Sequence, residues 1–381
     1  MAEPIRLFIL AGEPSGDRIG ADLVKRLRVQ HRVTLTGVGG AELEGEGLKS
    51  LYPMSDLSVM GLTDVIKRLP LLLWRARQTS QAILALSPDM VVLIDSQVFS
   101  QTVAGQLRKA GYAGKIVLYV APSVWAWKPE RAPALKPLYD EVLAVLPFEP
   151  AVMRKLGGPV TSYVGHPALG HTTFRPSEPE RGPILLLPGS RTGELRRHLP
   201  LMEQVARALR NHPRVTGFVL PTLKSVEEEV LRTVTTWKTP VFVTTGSEAK
   251  RKAFAESLVA AAVSGTVTLE LALSGVPMAI TYVGDRAQMK RWHKYKPRFV
   301  GLPNILHGND LVAEFVAGTP QPEPFVDEIE RLLDEEGAVE RQRAGFARVR
   351  SGMEKGAPEA PLVDAADRVL ANLPQRLASG T

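Results

Sequence analysis

Ile5-Arg6-Leu7-Phe8-Ile9-Leu10-Ala11-Gly12-Glu13-Pro14-Ser15-Gly16-Asp17 opens the chain with an apolar run that breaks into a turn carrying glycines and carboxylates. A short β-rich run, a tight turn and then a longer amphipathic stretch is how a parallel strand with a crossover helix begins. The same pattern recurs along most of the sequence. Further strands are expected at Val33–Val38, Met90–Asp95, Ile116–Ala121, Glu141–Leu146 and Ser162–Gly165. They resume at Ile184–Leu187, Gly217–Leu220, Pro240–Thr244, Leu258–Val263 and Met278–Val283. The class is therefore α/β, with two Rossmann-like, doubly wound domains. The Pro- and charge-rich segment from Arg175 to Pro183 has the composition of a domain joint. It divides the chain into residues 1–174 and 175–381, the second domain ending in helical stretches after Pro322. Ligands of such sheets bind beyond the carboxyl ends of the strands, so a cleft between the domains is the expected active site.

The length of 381 residues exceeds what one hydrophobic core usually serves, and 44% hydrophobic content supplies two. There is no cysteine, which excludes disulfides, cysteine-ligated zinc and a thiol nucleophile. Met1 to Leu10 reads as neither a signal peptide nor a spanning helix, so a cytoplasmic location is expected. A net charge of +7 suits phosphate-bearing partners: nucleic acid, anionic lipid or nucleotide. Nucleic acid is the weakest of the three, because no zinc-finger spacing, RNP-like motif or long basic block occurs.

Several strand ends carry polar residues suited to chemistry. Glu13, Ser15 and Asp17 crowd the first turn, as a ligand-facing loop or as a sharp chain reversal. Asp95 ends an apolar strand, either as a helix cap or as the general base that takes a proton from an attacking sugar hydroxyl. In Pro122-Ser123-Val124-Trp125-Ala126-Trp127-Lys128-Pro129-Glu130-Arg131 the indoles suit sugar rings and acyl stems, or a core. His166, in Val164-Gly165-His166-Pro167, is a packed ring or a group at the cleft.

In the second half, Leu187-Pro188-Gly189-Ser190-Arg191 joins a strand to a helix. Backbone N–H groups at Gly189 and Ser190 and the bidentate charge of Arg191 fit a phosphate. A Ser-capped helix with a surface Arg is the plainer alternative. Ser264-Gly265-Thr266-Val267-Thr268-Leu269-Glu270 makes a second such junction, with Glu270 one turn in, where it would accept ribose hydroxyls. Together the junctions point to a nucleotide diphosphate. No Asp-x-Asp pair occurs and the histidines lack metal-ligand spacing, so neither metal nor cofactor is expected. Ile66 to Arg77 combines four cations with Leu and Trp, and reads as a core-packed amphipathic helix or as one lying in a membrane interface. Arg286 to Arg298, with six Lys/Arg, is a solvated basic face or a surface for phosphate or anionic lipid.

Taken in order, these motifs together with Val59-Met60-Gly61, Leu146-Pro147-Phe148-Glu149 and Leu302-Pro303-Asn304 closely resemble the lipid-A-disaccharide synthase family across nearly the whole chain. The resemblance implies a GT-B fold and an inverting transfer from UDP-2,3-diacylglucosamine to 2,3-diacylglucosamine 1-phosphate, at the inner-membrane surface. Asp95 matches that family's essential Asp and Arg191 its essential Arg, while Asn304 falls in its Leu-Pro-Asn motif. A homodimer is compatible with the sequence. The sequence departs from the pattern at Val98 and Ser100, where the family usually has Asp and Asn, at Gly170, and at Ala317. Those departures keep open a paralogue acting on a different acylated sugar. A UDP-sugar hydrolase or epimerase and a non-catalytic nucleotide-sugar binder are the remaining alternatives.

Overall fold

The computed structural model describes residues 3–57 and 62–373, and of residues 62–67 the backbone alone. Val59-Met60-Gly61 and the Lys67 side chain lie outside that description. The chain forms two compact units, one of Met1–Pro167 with Met353–Thr381 and one of Ala168–Gly352. Each holds a six-stranded sheet whose neighbours are all parallel.

The first sheet contains β1 (Ile5–Ala11), β2 (Val33–Val38), β3 (Met90–Ile94), β4 (Ile116–Tyr119), β5 (Glu141–Ala144) and β6 (Thr161–Tyr163), in the order β2-β1-β3-β4-β5-β6. Phe8, Leu10, Val91, Leu93, Ile116 and Leu118 pack into one core cluster, and the alternate residues Leu7, Ile9, Val92, Ile94 and Val117 are fully buried as well. Burial on both faces is what helices covering a parallel sheet produce, and it is why these strands read as unbroken apolar runs. Ala11 pairs with Ile94 and Ile94 with Tyr119, so successive strands end level along one edge.

The second sheet contains β7 (Gly182–Leu187), β8 (Val215–Thr222), β9 (Phe242–Thr245), β10 (Val259–Val263), β11 (Met278–Val283) and β12 (Glu314–Ala317), in the order β12-β11-β10-β7-β8-β9. Ile184 and Leu186 enter one core cluster while Leu185 and Leu187 enter the other, the period-two alternation of a strand covered on both sides. The strands expected from the sequence are all present. The edge strand β12 was not expected, since Glu314-Phe315-Val316-Ala317 is short and starts on a carboxylate.

The division differs from the expected one at both ends. Arg175 is buried, and its guanidinium donates to the carbonyls of Gly275 and Ser257, so the segment read as a joint belongs to the body of the second unit. Residues past Met353 return to the first unit: the Tyr163 hydroxyl donates to the Met353 carbonyl at 2.6 Å, and Arg368 pairs with buried Glu141 at 2.8 Å. Main-chain pairing of Val363 with Tyr163 completes that return.

Candidate active site

In the first sheet the chain moves from β1 outward to β2, then back across β1 to β3. The connections at the carboxyl ends of β1 and β3 therefore leave in opposite directions, which opens the crevice where ligands of doubly wound sheets bind. Glu13, Ser15 and Asp95 arrive at that point. The turn after β1 touches the end of β3, for a β-carbon at Gly12 would collide with the Ser96 side chain. Asp95 and Ser96 both adopt left-handed backbone angles, φ 49° and 43°, and Val120 at the end of β4 has φ 74°. For non-glycine residues such conformations cost about 1–3 kcal/mol each and gather at functional sites. Main-chain bonds from Asp95 to Tyr119 and from Val120 to Leu143 hold the strained edge. The Ser100 hydroxyl, standing where the resemblance has an amide, donates to the Asp95 carbonyl at 2.8 Å.

The Asp95 carboxylate is half-buried. Burial raises its pKa above the ordinary carboxylate value, while the Ser96 N–H and the Gln97 amide offset part of that rise. Asp17 behaves differently. It is buried, and its oxygens accept the N–H groups of Gly40 at 2.8 Å, Glu42 at 3.0 Å and Leu43 at 3.3 Å. It braces the turn after β2, and its oxygens are committed there. Glu13 and Ser15 stay exposed at the start of the helix Pro14–Arg28.

Farther along the same edge, the Trp125 indole donates to the Glu149 carboxylate at 3.2 Å and stands edge-on to Phe148. Glu149 also accepts the N–H groups of Val145 and Leu146, and burial pushes its pKa up to about 7 despite these donors. The Lys128 and Arg131 charges face the Trp127 ring, 5.2 and 5.4 Å from its centroid. Both indoles are partly exposed, so neither is core filling. Burial drives the His166 imidazole down to about 4, which keeps it neutral at pH 7 and removes it as a cation for phosphate.

The second sheet reverses its order between β7 and β10, and the two junctions singled out from the sequence follow those strands. Gly189 has φ +106°, and Arg191 caps the helix Thr192–Leu209. One carboxylate occupies this junction: Glu194 accepts the Ser190 N–H at 3.0 Å and pairs with Arg191 at 3.0 Å. At the other junction Gly265 and Thr266 are exposed, the Ser264 hydroxyl donates to the Val300 carbonyl at 2.8 Å, and Glu270 pairs with Lys250 at 2.7 Å. Asn304 does not face this site with a free amide. It is buried, donating to Val312 and Glu314 and accepting from the N–H groups of Leu311 and Val312, so it braces the loop before β12. A cavity of about 470 Å³ borders β12 near Trp292, Arg298 and Arg331, and is not lined by Gly189, Ser190, Arg191 or Glu270.

Glu149, Lys250 and Glu194 carry roles that were not assigned from the sequence. Glu149 was signalled by the same pattern as Asp95, a carboxylate soon after a buried strand. Glu194 sits at the third helical position, where a carboxylate reaches back to free N–H groups. Lys250 gives no signal, lying in a polar helix, Ser247–Glu256. Among the described residues there is no group of three or more His, Asp or Glu arranged to hold a metal.

The structural bracing has a measurable consequence. Asp17→Ala leaves three N–H groups without their acceptor and Asn304→Ala leaves two, so each lowers the unfolding free energy by about 1–3 kcal/mol. Ser15→Ala, on an exposed side chain, changes it little. Urea unfolding of the three variants compares them; equal midpoints would contradict the bracing roles.

Comparisons with known proteins agree with this architecture. The lipid-A-disaccharide synthetase family model matches residues 7–362. A lipid-A-disaccharide synthase of Nitrobacter hamburgensis is 39% identical over 378 residues, covering 96% of this chain and 95% of that protein. One from Rhodospirillum centenum is 37% identical, with 93% and 91% covered. Among solved structures, the S. aureus MnaA-UDP co-structure is similar with TM-score 0.58 at 14% identity, covering 92% of this chain and 96% of that one. The calicheamicin glycosyltransferase CalG4 gives 0.59 at 19%, with 98% of each chain covered. These two likenesses establish the GT-B fold. With the family model spanning nearly the whole chain and full-length relatives at this identity, the chain belongs to the lipid-A-disaccharide synthase family of glycosyltransferases.

Proposed function

We propose that this chain transfers 2,3-diacylglucosamine from its UDP derivative to 2,3-diacylglucosamine 1-phosphate with inversion, releasing UDP and a β-1,6-linked disaccharide. The observation that carries the reading is the placement of Asp95: a half-buried carboxylate on strained backbone at the crevice of the first sheet. The acceptor hydroxyl attacks the anomeric carbon as Asp95 takes its proton, and the bond to the diphosphate breaks with its electron pair leaving on UDP. Inversion requires the hydroxyl and its base on the face opposite the departing group. Asp95 stands in the first unit, and the loops proposed for the nucleotide stand in the second.

Within the second unit, the loop at Gly189 and Ser190, with Arg191 and the N-terminus of an 18-residue helix, offers positive potential to the leaving diphosphate. Glu270, held by Lys250, is the acceptor for the ribose hydroxyls, beside Ser264, Gly265 and Thr266. Trp125 offers an aromatic face to a sugar ring, and neutral His166 a hydrogen-bonding partner. Family membership favours this reading over an epimerase, hydrolase or silent binding protein.

A second reading, transfer to a different acylated sugar, draws on Val98, which is 77% exposed at the second position of the helix Gln97–Lys109 after Asp95. An apolar side chain there replaces a carboxylate of the family pattern. Gly170 has open space around it, so the replacement of the family's Asp there is not forced by crowding. Mass spectrometry of the product from the two diacylated substrates separates the two readings.

Membrane recruitment is part of the proposal. On the helix Leu62–Leu86, Leu69, Leu73 and Trp74 are 47%, 51% and 55% exposed, with Arg68 and Arg77 exposed nearby. Leu72, by contrast, packs on the core. No helix among the described residues is long and apolar enough to cross a membrane, so the attachment is peripheral.

Asp95→Asn keeps the shape and removes the proton acceptor, so turnover falls by about 10²–10⁴-fold with UDP affinity unchanged. Near-normal turnover would return Asp95 to helix capping. The base works ionised, so the wild-type rate is lost as pH falls through a pKa raised above the usual carboxylate range. Because no Asp-x-Asp pair is present, activity survives excess EDTA; loss that magnesium restores would show the leaving-group chemistry to be wrong. Replacing Leu69, Leu73 and Trp74 by Ser weakens binding to anionic vesicles in a sedimentation assay, and equal binding would remove this face from the membrane contact.

A further inference from the structure

The anion-binding loop after β7 already holds an anion, and it belongs to the protein. Glu194 projects from the first turn of the helix Thr192–Leu209 back over Gly189. A β-carbon at Gly189 would lie 2.6 Å from its carboxylate oxygen, so the glycine leaves the room that this carboxylate fills. One oxygen accepts the Ser190 N–H and the other pairs with the Arg191 guanidinium, each at 3.0 Å. The Glu194 side chain is 15% exposed while that of Arg191 is 68% exposed. The carboxylate thus sits inward and the cation reaches out from it. A phosphoryl oxygen and a carboxylate oxygen seek the same donors with the same geometry, and two anions within a few ångströms repel.

We infer that Glu194 is an internal competitor for the diphosphate: binding of the nucleotide requires its carboxylate to give up Ser190 and Arg191, which sets a ceiling on the affinity for UDP. The inference rests on the assignment of this loop to the diphosphate. A substrate whose second phosphoryl group carries a sugar gains further contacts with which to displace Glu194; free UDP has none, so the latch favours release of the product over its retention. Uridine, lacking phosphate, is indifferent to Glu194.

Calorimetry of the full chain with UDP and with uridine tests this. Glu194→Gln keeps the shape and an acceptor for Ser190 while removing the charge, and Glu194→Ala removes the side chain beyond its β-carbon. UDP affinity rises roughly tenfold in Glu194→Gln and rises also in Glu194→Ala, with uridine affinity unchanged in both. UDP affinity that stays level or falls in both variants overturns the inference. Arg191→Ala keeps the two assignments apart. If it abolishes the preference for UDP over uridine while the Glu194 variants show no gain, the loop binds the diphosphate and Glu194 is a brace. If Arg191→Ala leaves the preference intact, the loop assignment itself fails, and the competitor role with it.

Discussion

Parallel pairing of every strand in each main sheet is the constraint on which the rest of this structure depends. Because neighbours run the same way and end level, each strand delivers its next residue to a common edge. Order reverses once in each sheet, at β1/β3 and at β7/β10, and only there do adjacent connections turn away from each other. Asp95 and the turn at Gly12 fall at one reversal, the loops at Gly189 and Gly265 at the other. The candidate site residues are therefore placed by topology before any side chain is chosen, and the long apolar runs that looked merely structural in the sequence are what fix that placement.

That logic explains what was legible. Runs such as Leu7–Leu10 and Met90–Ile94 are buried on both faces, and continuous apolarity marks them plainly. β12 escaped because an edge strand of four residues carries little of that signal and starts with Glu314, whose carboxylate is spent on the N–H groups of Val300 and Gly301. Arg175 misled the division of the chain for a related reason. Composition marks a charged residue at the start of a Pro-rich stretch as solvent-facing, while its guanidinium is buried against carbonyls that only the folded chain brings together. Likewise a polar residue near a strand end reads the same whether it faces a ligand or braces a loop, as Asp17 and Asn304 do.

The carboxylates at the sheet edges sort by how their oxygens are used. Asp17, Glu149 and Glu314 each accept three N–H groups from within the chain, which leaves little capacity for another partner. Asp95 has two such donors and a pKa raised by burial, which preserves both room for a proton and affinity for one. A base needs that combination: fully bridged it would be inert, and fully solvated it would be weak. Donor number, rather than burial or position in the sequence, separates the acid proposed for the chemistry from those that hold the fold.

Strain at the Asp95 edge gives the substitutions around it a physical order. Left-handed backbone at Asp95, Ser96 and Val120 persists only if the surroundings over-determine it. The main-chain bonds to Tyr119 and Leu143 come from buried strands and do not depend on side-chain identity. Ser100 adds a hydroxyl bond to the Asp95 carbonyl, and Gln97 spans from the carboxylate toward the Val120 carbonyl. A change of amide to hydroxyl at Ser100 is therefore tolerable, since one donor to that carbonyl suffices to hold the turn. Val98 makes no such bond and faces solvent. Exchange of a carboxylate for an apolar group there leaves the Asp95 turn in place while altering the surface that a second substrate would meet in the proposed reaction.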